Sequence, residues 1–389
     1  MTTAVERPDV SEARKEIVAL AREFAKTNIE PHAAEWDRTH HFARNVIDEL
    51  GKLGFLGIAT PESDDGLGLD TTTYLMALEE IAAADASIAV SVSIHCAIPT
   101  TMLLRHGTPA QRERWLKPMA RGELLAGFAL SEPDAGSDAA SLRAQAVRDG
   151  DGWVLNGTKA WATNGGTADV MMIMVRTDRP DARKGAKGIS TFIVPTKTPG
   201  YRAARAEDKM GLRASNTAGV ELENVRLPAD ALLGEEGMGF VYSMEGLVAG
   251  RLGIATQAVG IARRSLELSL AYCAERKQFD QALEKFEAVQ FKLADMATRI
   301  AAARALTHQA AAAKDAGQDV TVQASMAKLF ASETAMWVTT QAVQLFGGYG
   351  YMRDFPVEKL FRDAKVTEIY EGTSEIQRFI IARGLTRHD

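Results

Sequence analysis

Cysteine is scarce in this sequence, which contains two in 389 residues. Cys96 and Cys273 lie far apart and in no CxxC spacing, so neither a disulfide framework nor a cysteine-bound metal is expected. Free thiols suit a reducing compartment, and we expect a cytoplasmic protein. The segment Met1–Val10 is polar and lacks the apolar stretch of a signal peptide. No apolar run approaches the roughly 20 residues that span a bilayer, so no membrane partner is expected.

Several motifs of nucleotide, metal and acyl-transfer chemistry are also missing. Gly234, Gly237 and Gly239 have the wrong order and context for a Rossmann site. The sequence has no P-loop, no HExxH and no G-x-S-x-G. The one histidine pair, His40 and His41, is adjacent, and adjacent side chains diverge on regular structure. No metal site is therefore expected.

Positive charge is not in excess either. The net charge is −6 and the isoelectric point is about 5.8. An acidic chain argues against a surface that binds polyanions. No nucleic-acid partner is therefore expected.

The sequence does contain two clear changes of apolar periodicity. Helical spacing covers residues 1–125, short strands separated by turn residues cover 126–235, and helical spacing returns over 236–389. The last part predicts a bundle of long helices. We therefore predict the fold class α+β, with an N-terminal helical domain, a middle β domain and a C-terminal helical domain at these boundaries.

Local patterns predict particular starts, turns and strands. Ser11 is expected to cap the first helix. Residues 149–152 predict a hairpin and Asn156-Gly157 a second turn. The apolar run 170–175 predicts a buried strand whose methionines fill the core. Near the C-terminus, helices are expected at 361–370 and 374–383.

One carboxylate near the C-terminus has the surroundings of a general base. Glu371 follows the apolar pair Ile369 and Tyr370 and precedes Gly372. Apolar neighbours desolvate a carboxylate and raise its pKa, as a base working near neutral pH requires. Gly372 lets the backbone approach a ligand closely. The alternative is a solvated glutamate in a loop before the last helix, which Thr373 would help to cap.

Four further stretches combine glycine with polar or aromatic residues. They are residues 128–137, 161–166, 276–279 and 344–348. The first could approach a planar or anionic ligand or be an acidic surface loop. In the second, Trp161 and Thr163 would face one side of a strand and suit a flavin ring, although a core tryptophan is the commoner meaning. The third could grip a pyrophosphate or be a charged helix end, and the fourth could be a helix cap and turn.

In this order, on a chain of helices, strands and helices, these stretches resemble the acyl-CoA dehydrogenase family over residues 11–385, in its short-, medium- or branched-chain type. The resemblance implies a middle β-barrel-like domain and a C-terminal four-helix bundle. It also implies one FAD per subunit, a homotetramer, an acyl-CoA substrate and an electron-transfer flavoprotein as the electron acceptor.

The resemblance also implies roles for individual residues. Glu371 matches the catalytic base. Residues with an implied role in FAD binding are Phe128, Leu130, Ser131, Gly136, Ser137, Trp161, Thr163, Arg276, Gln278, Phe279, Gln344, Gly347, Gly348, Thr373 and Glu375. The adenine and pyrophosphate of a neighbouring subunit's FAD would be held by Arg276, Gln278, Phe279, Gln344, Gly347 and Gly348. Residues with an implied role in substrate binding are Ser137, Arg251, Tyr370 and Gly372.

The implied reaction pairs a proton transfer with a hydride transfer. Glu371 takes the α-proton of the thioester while the β-hydrogen leaves as hydride to flavin N5, giving the trans-2-enoyl-CoA. The thioester carbonyl would accept hydrogen bonds from the Glu371 N–H and a flavin ribityl hydroxyl.

Three positions depart from the family pattern. Val248 replaces an aspartate that contacts CoA in relatives, which leaves the CoA contacts open. Gly250 occupies the position where one branch carries its base, which supports Glu371. Asp280 stands where relatives often have glycine, and it could weaken a dinucleotide contact or serve as a helix cap.

Two other functions are compatible with the same fold. One is an acyl-CoA oxidase or flavin monooxygenase, in which oxygen reoxidises the flavin. Those branches often lack a glutamate at the base position, so Glu371 argues against them. The other is a non-catalytic DNA-binding relative, which would need a basic face that this acidic chain does not predict.

Overall fold

A computed structural model describes residues 10–178 and 185–386. The chain begins with helices that pack through one apolar core. Aspartates cap two of them, since Asp70 accepts a hydrogen bond from Thr73 N at 2.7 Å and Asp85 accepts one from Ser87 N at 2.8 Å. The helices are α1 (Val10–Phe24), α2 (Ala33–Thr39), α3 (Arg44–Lys52), α4 (Thr71–Ala84), α5 (Ala86–His106), α6 (Pro109–Gln111) and α7 (Lys117–Ala120).

A sheet follows in the middle of the chain. Its strands are β1 (Ala126–Ala129), β2 (Gln145–Asp149), β3 (Gly152–Thr163), β4 (Val170–Arg176), β5 (Ile189–Pro195), β6 (Tyr201–Ala203) and β7 (Thr217–Leu227). In the described residues they pair in the order β1-β4-β2-β3-β7-β6, with β5 on β4. The predicted hairpin at residues 149–152 joins β2 to β3. Residues 170–175 are fully buried, so the predicted core strand and its core methionines are confirmed.

Helices return after the sheet. They are α8 (Gly239–Glu275), α9 (Glu287–Asp315), α10 (Thr321–Phe346), α11 (Val357–Lys365) and α12 (Ser374–Thr386), with a small hairpin of β8 (Lys277–Gln278) and β9 (Gln281–Ala282) after α8. The long helix α8 packs against α10 on one side and against α4 and α5 on another. It therefore joins the first and last helical parts in one core, and the predicted α+β class is confirmed.

Helix α5 has the length and composition of a membrane-spanning helix. Its mean hydropathy reaches 1.6 in an 18-residue window, and 83% of that window is buried in the protein. The expectation that no apolar run approaches bilayer length is wrong for this helix. Its burial is typical of a core helix.

Three local expectations are wrong. Helix α1 already includes Val10, so it does not begin at Ser11. Strand β3 continues through Asn156-Gly157 without a turn. Gly157, at φ +140°, lies where the register between β3 and β7 shifts, so it forms a bulge instead. Helix α11 ends at Lys365 and a 3₁₀ turn follows, so the segment before Glu371 is not one helix over 361–370.

A buried ion cluster fixes α11 against the rest of the protein. Lys359 Nζ lies 2.9 Å from Asp85 Oδ2 at the start of α5 and 2.6 Å from Asp363 Oδ2. The other oxygen of Asp363 accepts a 2.6 Å hydrogen bond from Leu212 N, in the loop between β6 and β7. Burial alone would lower the pKa of Lys359, but the charges of Asp363 and Asp85 raise it above its ordinary value. The cluster thus positions the segment that leads to Glu371.

Candidate active site

Glu371 lies in a tight turn between α11 and α12. Both oxygens of its carboxylate are buried and have no hydrogen-bond partner among the described residues. Burial raises the pKa of this carboxyl from 4.5 to about 7, against the lowering effect of Lys328 and then of Arg251. The alternative of a solvated glutamate is therefore wrong.

Helix α8 lies directly against the buried carboxylate of Glu371. Ile369 is 52% exposed, so it does not enclose the carboxylate as its apolar character suggested. Instead, a Cβ built on Gly250 would lie 2.1 Å from Glu371 Oε2. The carboxylate is thus in contact with bare backbone of α8, at the position that Gly250 leaves without a side chain.

Two buried cations face this carboxylate. Arg251 is 4% exposed and its Nε has no partner among the described residues. Lys328 of α10 is fully buried, and its Nζ donates a 2.8 Å hydrogen bond to Gly372 O. Nothing in the residue pattern selects Lys328, because a lone lysine on a helix usually faces water.

The turn itself has a strained backbone and several supports. Glu371 has φ +52° and Gly372 φ +95°. The side chain of Gln377 donates hydrogen bonds to Glu371 O at 3.2 Å and Gly372 O at 2.8 Å. Thr373 Oγ1 accepts from Ile376 N at 3.3 Å, as expected of a helix cap. The N–H of Glu371 has no acceptor among the described residues, so it is free to donate to a ligand.

Tyr370 points towards α8. Its hydroxyl donates a hydrogen bond to Gln257 Oε1, and Gln257 Nε2 donates to Ala86 O at 2.7 Å. Burial, and then the charge of Glu371, raise the pKa of Tyr370 well above its ordinary value. Its predicted contact with substrate stays a prediction.

A second group of predicted residues lies on the sheet. Trp161 has φ +55° and is 58% exposed, at an irregularity in the pairing of β3 with β7. The alternative of a core tryptophan is therefore wrong. Ala160 N donates a 2.9 Å hydrogen bond to Ser131 O, so the predicted stretches 128–131 and 161–163 are adjacent. Phe128 is 9% exposed and belongs to the hydrophobic core.

An ion pair that sequence reasoning missed supports this group. Lys159, fully buried, lies 2.7 Å from Glu132 Oε1 and donates to Leu130 O at 3.1 Å. Burial lowers the pKa of Lys159 to about 8, while Glu132 opposes that effect. Beyond Glu132, Gly136 and Ser137 are exposed, and a Cβ on Gly136 would meet no atom within 4 Å. Lys159 therefore anchors the start of this loop through Glu132 and Leu130, whereas the tip at Gly136 and Ser137 is exposed.

A third group lies among the C-terminal helices. Arg276, Gln278, Gly347 and Gly348 line a cavity of about 450 Å³, together with Tyr349. The Arg276 guanidinium lies 5.5 Å from the centre of the Tyr349 ring. A Cβ on either glycine would meet no atom within 4 Å.

Phe279 and Gln344 stand outside that cavity. Phe279 is 89% exposed and Gln344 is also exposed. Asp280, at φ +62°, follows Phe279 at φ +51° in the two-residue turn between β8 and β9. Glycine adopts such a turn most easily, and Asp280 is a turn residue here, not a helix cap.

These groups fit FAD in chemical terms. An exposed indole beside the half-buried Ser131 and Thr163 suits a flavin ring. A guanidinium, two bare glycines and an aromatic ring suit a pyrophosphate with an adenosine. Glu375 is exposed in the first turn of α12, next to Thr373. Among the described residues, no group of three or more His, Cys, Asp or Glu side chains is arranged to hold a metal ion.

The chain matches three family models along its length. These are "Acyl-CoA dehydrogenase, N-terminal domain" at residues 11–123, "middle domain" at 127–225 and "C-terminal domain" at 237–386. It is 44% identical to the mitochondrial short-chain specific acyl-CoA dehydrogenase of Mus musculus, over 99% of this chain and 93% of that protein. It is 43% identical to the short-chain specific acyl-CoA dehydrogenase of Clostridium acetobutylicum, over 95% of this chain and 96% of that protein.

Solved structures show the same fold. Butyryl-CoA dehydrogenase from Megasphaera elsdenii superposes with a TM-score of 0.94 at 40% identity, covering 99% of this chain and 100% of that chain. A chain from a study of the electron transferring flavoprotein of Acidaminococcus fermentans gives 0.95 at 41%, covering 99% and 100%. Glutaryl-CoA dehydrogenase from Mycobacterium smegmatis in complex with FADH2 gives 0.90 at 34%, covering 96% and 95%. The chain therefore belongs to the acyl-CoA dehydrogenase family of flavoprotein oxidoreductases.

Proposed function

We propose that this enzyme dehydrogenates a short-chain acyl-CoA between its α- and β-carbons, with Glu371 as the base and FAD as the oxidant. The observation that carries the proposal is the Glu371 carboxylate, which is buried, unpaired among the described residues and in contact with Gly250. Membership of the family supports the reaction class, and the named short-chain relatives support the substrate length.

The turn supplies both groups that the proton transfer needs. With a pKa of about 7, Glu371 populates its carboxylate form near neutral pH and can take the α-proton. The free N–H of the same residue donates to the thioester carbonyl, which stabilises the negative charge that develops on its oxygen. When bound, FAD supplies the acceptor for the hydride that leaves the β-carbon. Buried surroundings strengthen these electrostatic effects.

The cofactor would be held by the two groups outside the turn. Trp161, Thr163 and Ser131 would contact the flavin ring. Arg276 and the cavity around it would hold the diphosphate and adenosine of the FAD bound by a neighbouring copy. The FAD site would be completed by Gln344, Phe279, Thr373 and Glu375.

The proposed partners are an electron-transfer flavoprotein and further copies of the chain. The Acidaminococcus structure supports the flavoprotein partner. Large exposed apolar side chains in the C-terminal part of the chain support a homotetramer, including Phe279 in the β8–β9 turn, Phe291 on α9 and Phe379 on α12. Light scattering of the purified protein tests the oligomer. Both cysteines are free in the structure, as suits the proposed cytoplasmic location, which cell fractionation tests.

The function is tested by anaerobic reduction of the purified flavoprotein. Acyl-CoAs of increasing chain length are added, and bleaching of the flavin band is followed in a stopped-flow spectrometer. We expect the fastest bleaching with short chains, and reoxidation by electron-transfer flavoprotein to be faster than by oxygen. Glu371→Gln should slow bleaching by about 100-fold or more, because the base is lost.

Glu16→Gln is the matched control, because Glu16 is an exposed glutamate on α1. It should bleach at the wild-type rate. Wild-type bleaching rates in Glu371→Gln would refute the assigned base. No bleaching with any acyl-CoA would refute the substrate class.

A further inference from the structure

Lys328 is a buried ammonium beside the proposed base. It lies in α10 with 0% of its surface exposed, and Gly372 O accepts its 2.8 Å hydrogen bond. No carboxylate among the described residues lies within 4.0 Å of its Nζ. A buried charge needs compensation, and Glu371 is the first of the anions that favour the charged form of this lysine.

The hydrogen bond of Lys328 is made to the turn that carries Glu371. A non-glycine residue at positive φ, as Glu371 is, has a strained backbone that persists only where the surroundings hold it. The acceptor Gly372 O receives hydrogen bonds from both Lys328 and Gln377. Helix α10 therefore holds this turn from one side, and α12 holds it from the other.

We propose that Lys328 is a positioning residue for the proton transfer, which pins the turn of Glu371 and favours its carboxylate form. This inference rests on the proposed function, since it requires Glu371 to be the base.

The other charged and titratable groups around Glu371 have smaller or different effects. Lys328 lowers the pKa of Glu371 more than Arg251 of α8 does. Tyr74 of α4 and Tyr370 also lie close enough for the charge of Glu371 to raise their pKa, after the larger effect of burial on each. Around Lys328 itself, Glu368 and Glu375 add weaker attraction after Glu371 and the repulsion of Arg251.

Lysine and arginine have different consequences at this site. Burial lowers the pKa of Lys328 to about 8, so its charge is lost on the alkaline side of the range in which Glu371 titrates. Arg251 remains charged throughout, because a guanidinium is not deprotonated in proteins. Lys328 is thus the cation of this pair whose charge varies with pH, and that charge affects the protonation of the proposed base.

The test compares three substitutions of Lys328 in the flavin-loaded protein. Lys328→Met removes the charge and the hydrogen bond, Lys328→Gln removes the charge and keeps a donor, and Lys328→Arg keeps both. Lys314→Met is the matched control, because Lys314 is a half-buried lysine on α9 that bonds to Thr71 Oγ1 at 2.9 Å. The protonation of Glu371 is measured by infrared difference titration, with its band identified by its loss in Glu371→Gln.

Lys328→Met and Lys328→Gln should raise the titration midpoint of Glu371 by about one pH unit or more, because a nearby opposite charge is lost. A midpoint one unit higher leaves a carboxylate fraction at pH 7 that is about five times smaller. The rate of flavin reduction by butyryl-CoA should fall by at least that factor at pH 7 and recover at higher pH. Lys328→Arg and Lys314→Met should keep the wild-type midpoint.

An unchanged midpoint in Lys328→Met would overturn the inference. If Lys328→Met does not fold, an unchanged midpoint in Lys328→Gln has the same meaning, and a raised midpoint in Lys328→Arg would show that charge is not the cause. Failure of this inference and failure of the proposed function give different results. That function fails if wild type is not reduced by any acyl-CoA, whereas the infrared titration needs no substrate.

Discussion

Replacing Glu371 by glutamine should change how the stability of the protein depends on pH. In the unfolded chain a glutamate releases its proton around pH 4.5, whereas burial holds the proton of folded Glu371 up to about pH 7. Between these values the folded state binds more protons than the unfolded state, so the wild type loses stability as the pH rises. Glutamine does not ionise and has no such loss.

The size of the effect follows from the two pKa values. The shift from 4.5 to about 7 corresponds to about 3 kcal/mol in total. About 2.5 kcal/mol of this falls between pH 5 and pH 8. For a chain of 389 residues, with an unfolding entropy of about 2.1 cal/mol/K per residue, that is a change of ~3 °C in Tm.

Thermal unfolding of flavin-loaded wild type and Glu371→Gln, at matched protein and FAD concentrations, measures this difference. Glu371→Gln should gain ~3 °C on wild type as the pH goes from 5 to 8. The packing of the glutamine amide changes the Tm difference between Glu371→Gln and wild type by the same amount at every pH. Only the slope of this Tm difference against pH is therefore diagnostic. Glu16→Gln, on exposed α1, should show no such slope. A gap for Glu371→Gln that stays constant from pH 5 to pH 8 would refute the desolvation of this carboxylate.

Three further substitutions test the packing and charges around the site. Gly250→Ala places a Cβ 2.1 Å from Glu371 Oε2, so the carboxylate must move. Flavin reduction by butyryl-CoA should slow by about 100-fold at unchanged FAD content, because the carboxylate is misplaced. A wild-type rate would contradict the contact between Gly250 and Glu371. Lys359→Met leaves two buried aspartates without their cation and should cost about 3–5 kcal/mol, seen as a lower Tm; an unchanged Tm would contradict this. Lys159→Met leaves the buried Glu132 without its cation and removes the hydrogen bond to Leu130 O, which should loosen the loop before Gly136. The flavin-to-protein ratio of the purified variant should therefore fall. An unchanged ratio would show that Lys159 does not support the flavin site.

The residue types around Glu371 left both a buried and a solvated carboxylate open, and they did not predict the cause of its burial. The sequence pointed to Ile369, which lies at the surface. The enclosing contact comes from Gly250, 121 residues earlier, and depends on how α8 packs against a distant turn. Sequence periodicity predicts which face of a helix is buried, but it does not predict which segment packs against that face.

Trp161 shows a similar limit on the sheet. Its spacing from Thr163 predicted the shared side, and both residues are less buried than Ala162 between them. The positive φ of Trp161 arises from an irregularity in strand pairing that depends on the partner strand β7. Lys159 and Lys328 were missed because lysine is usually solvated, and their burial is visible only once their partners are in place.

The contact between Gly250 and Glu371 constrains how this enzyme can diverge. The two positions share one volume, so a side chain added at Gly250 meets the carboxylate that already fills it. If Glu371 is the base, as proposed, moving the base from the turn to helix α8 takes two coordinated substitutions. The first substitution would give either two side chains in one volume or a site without a base. Single substitutions therefore could not relocate the proposed base without passing through an enzyme of low activity.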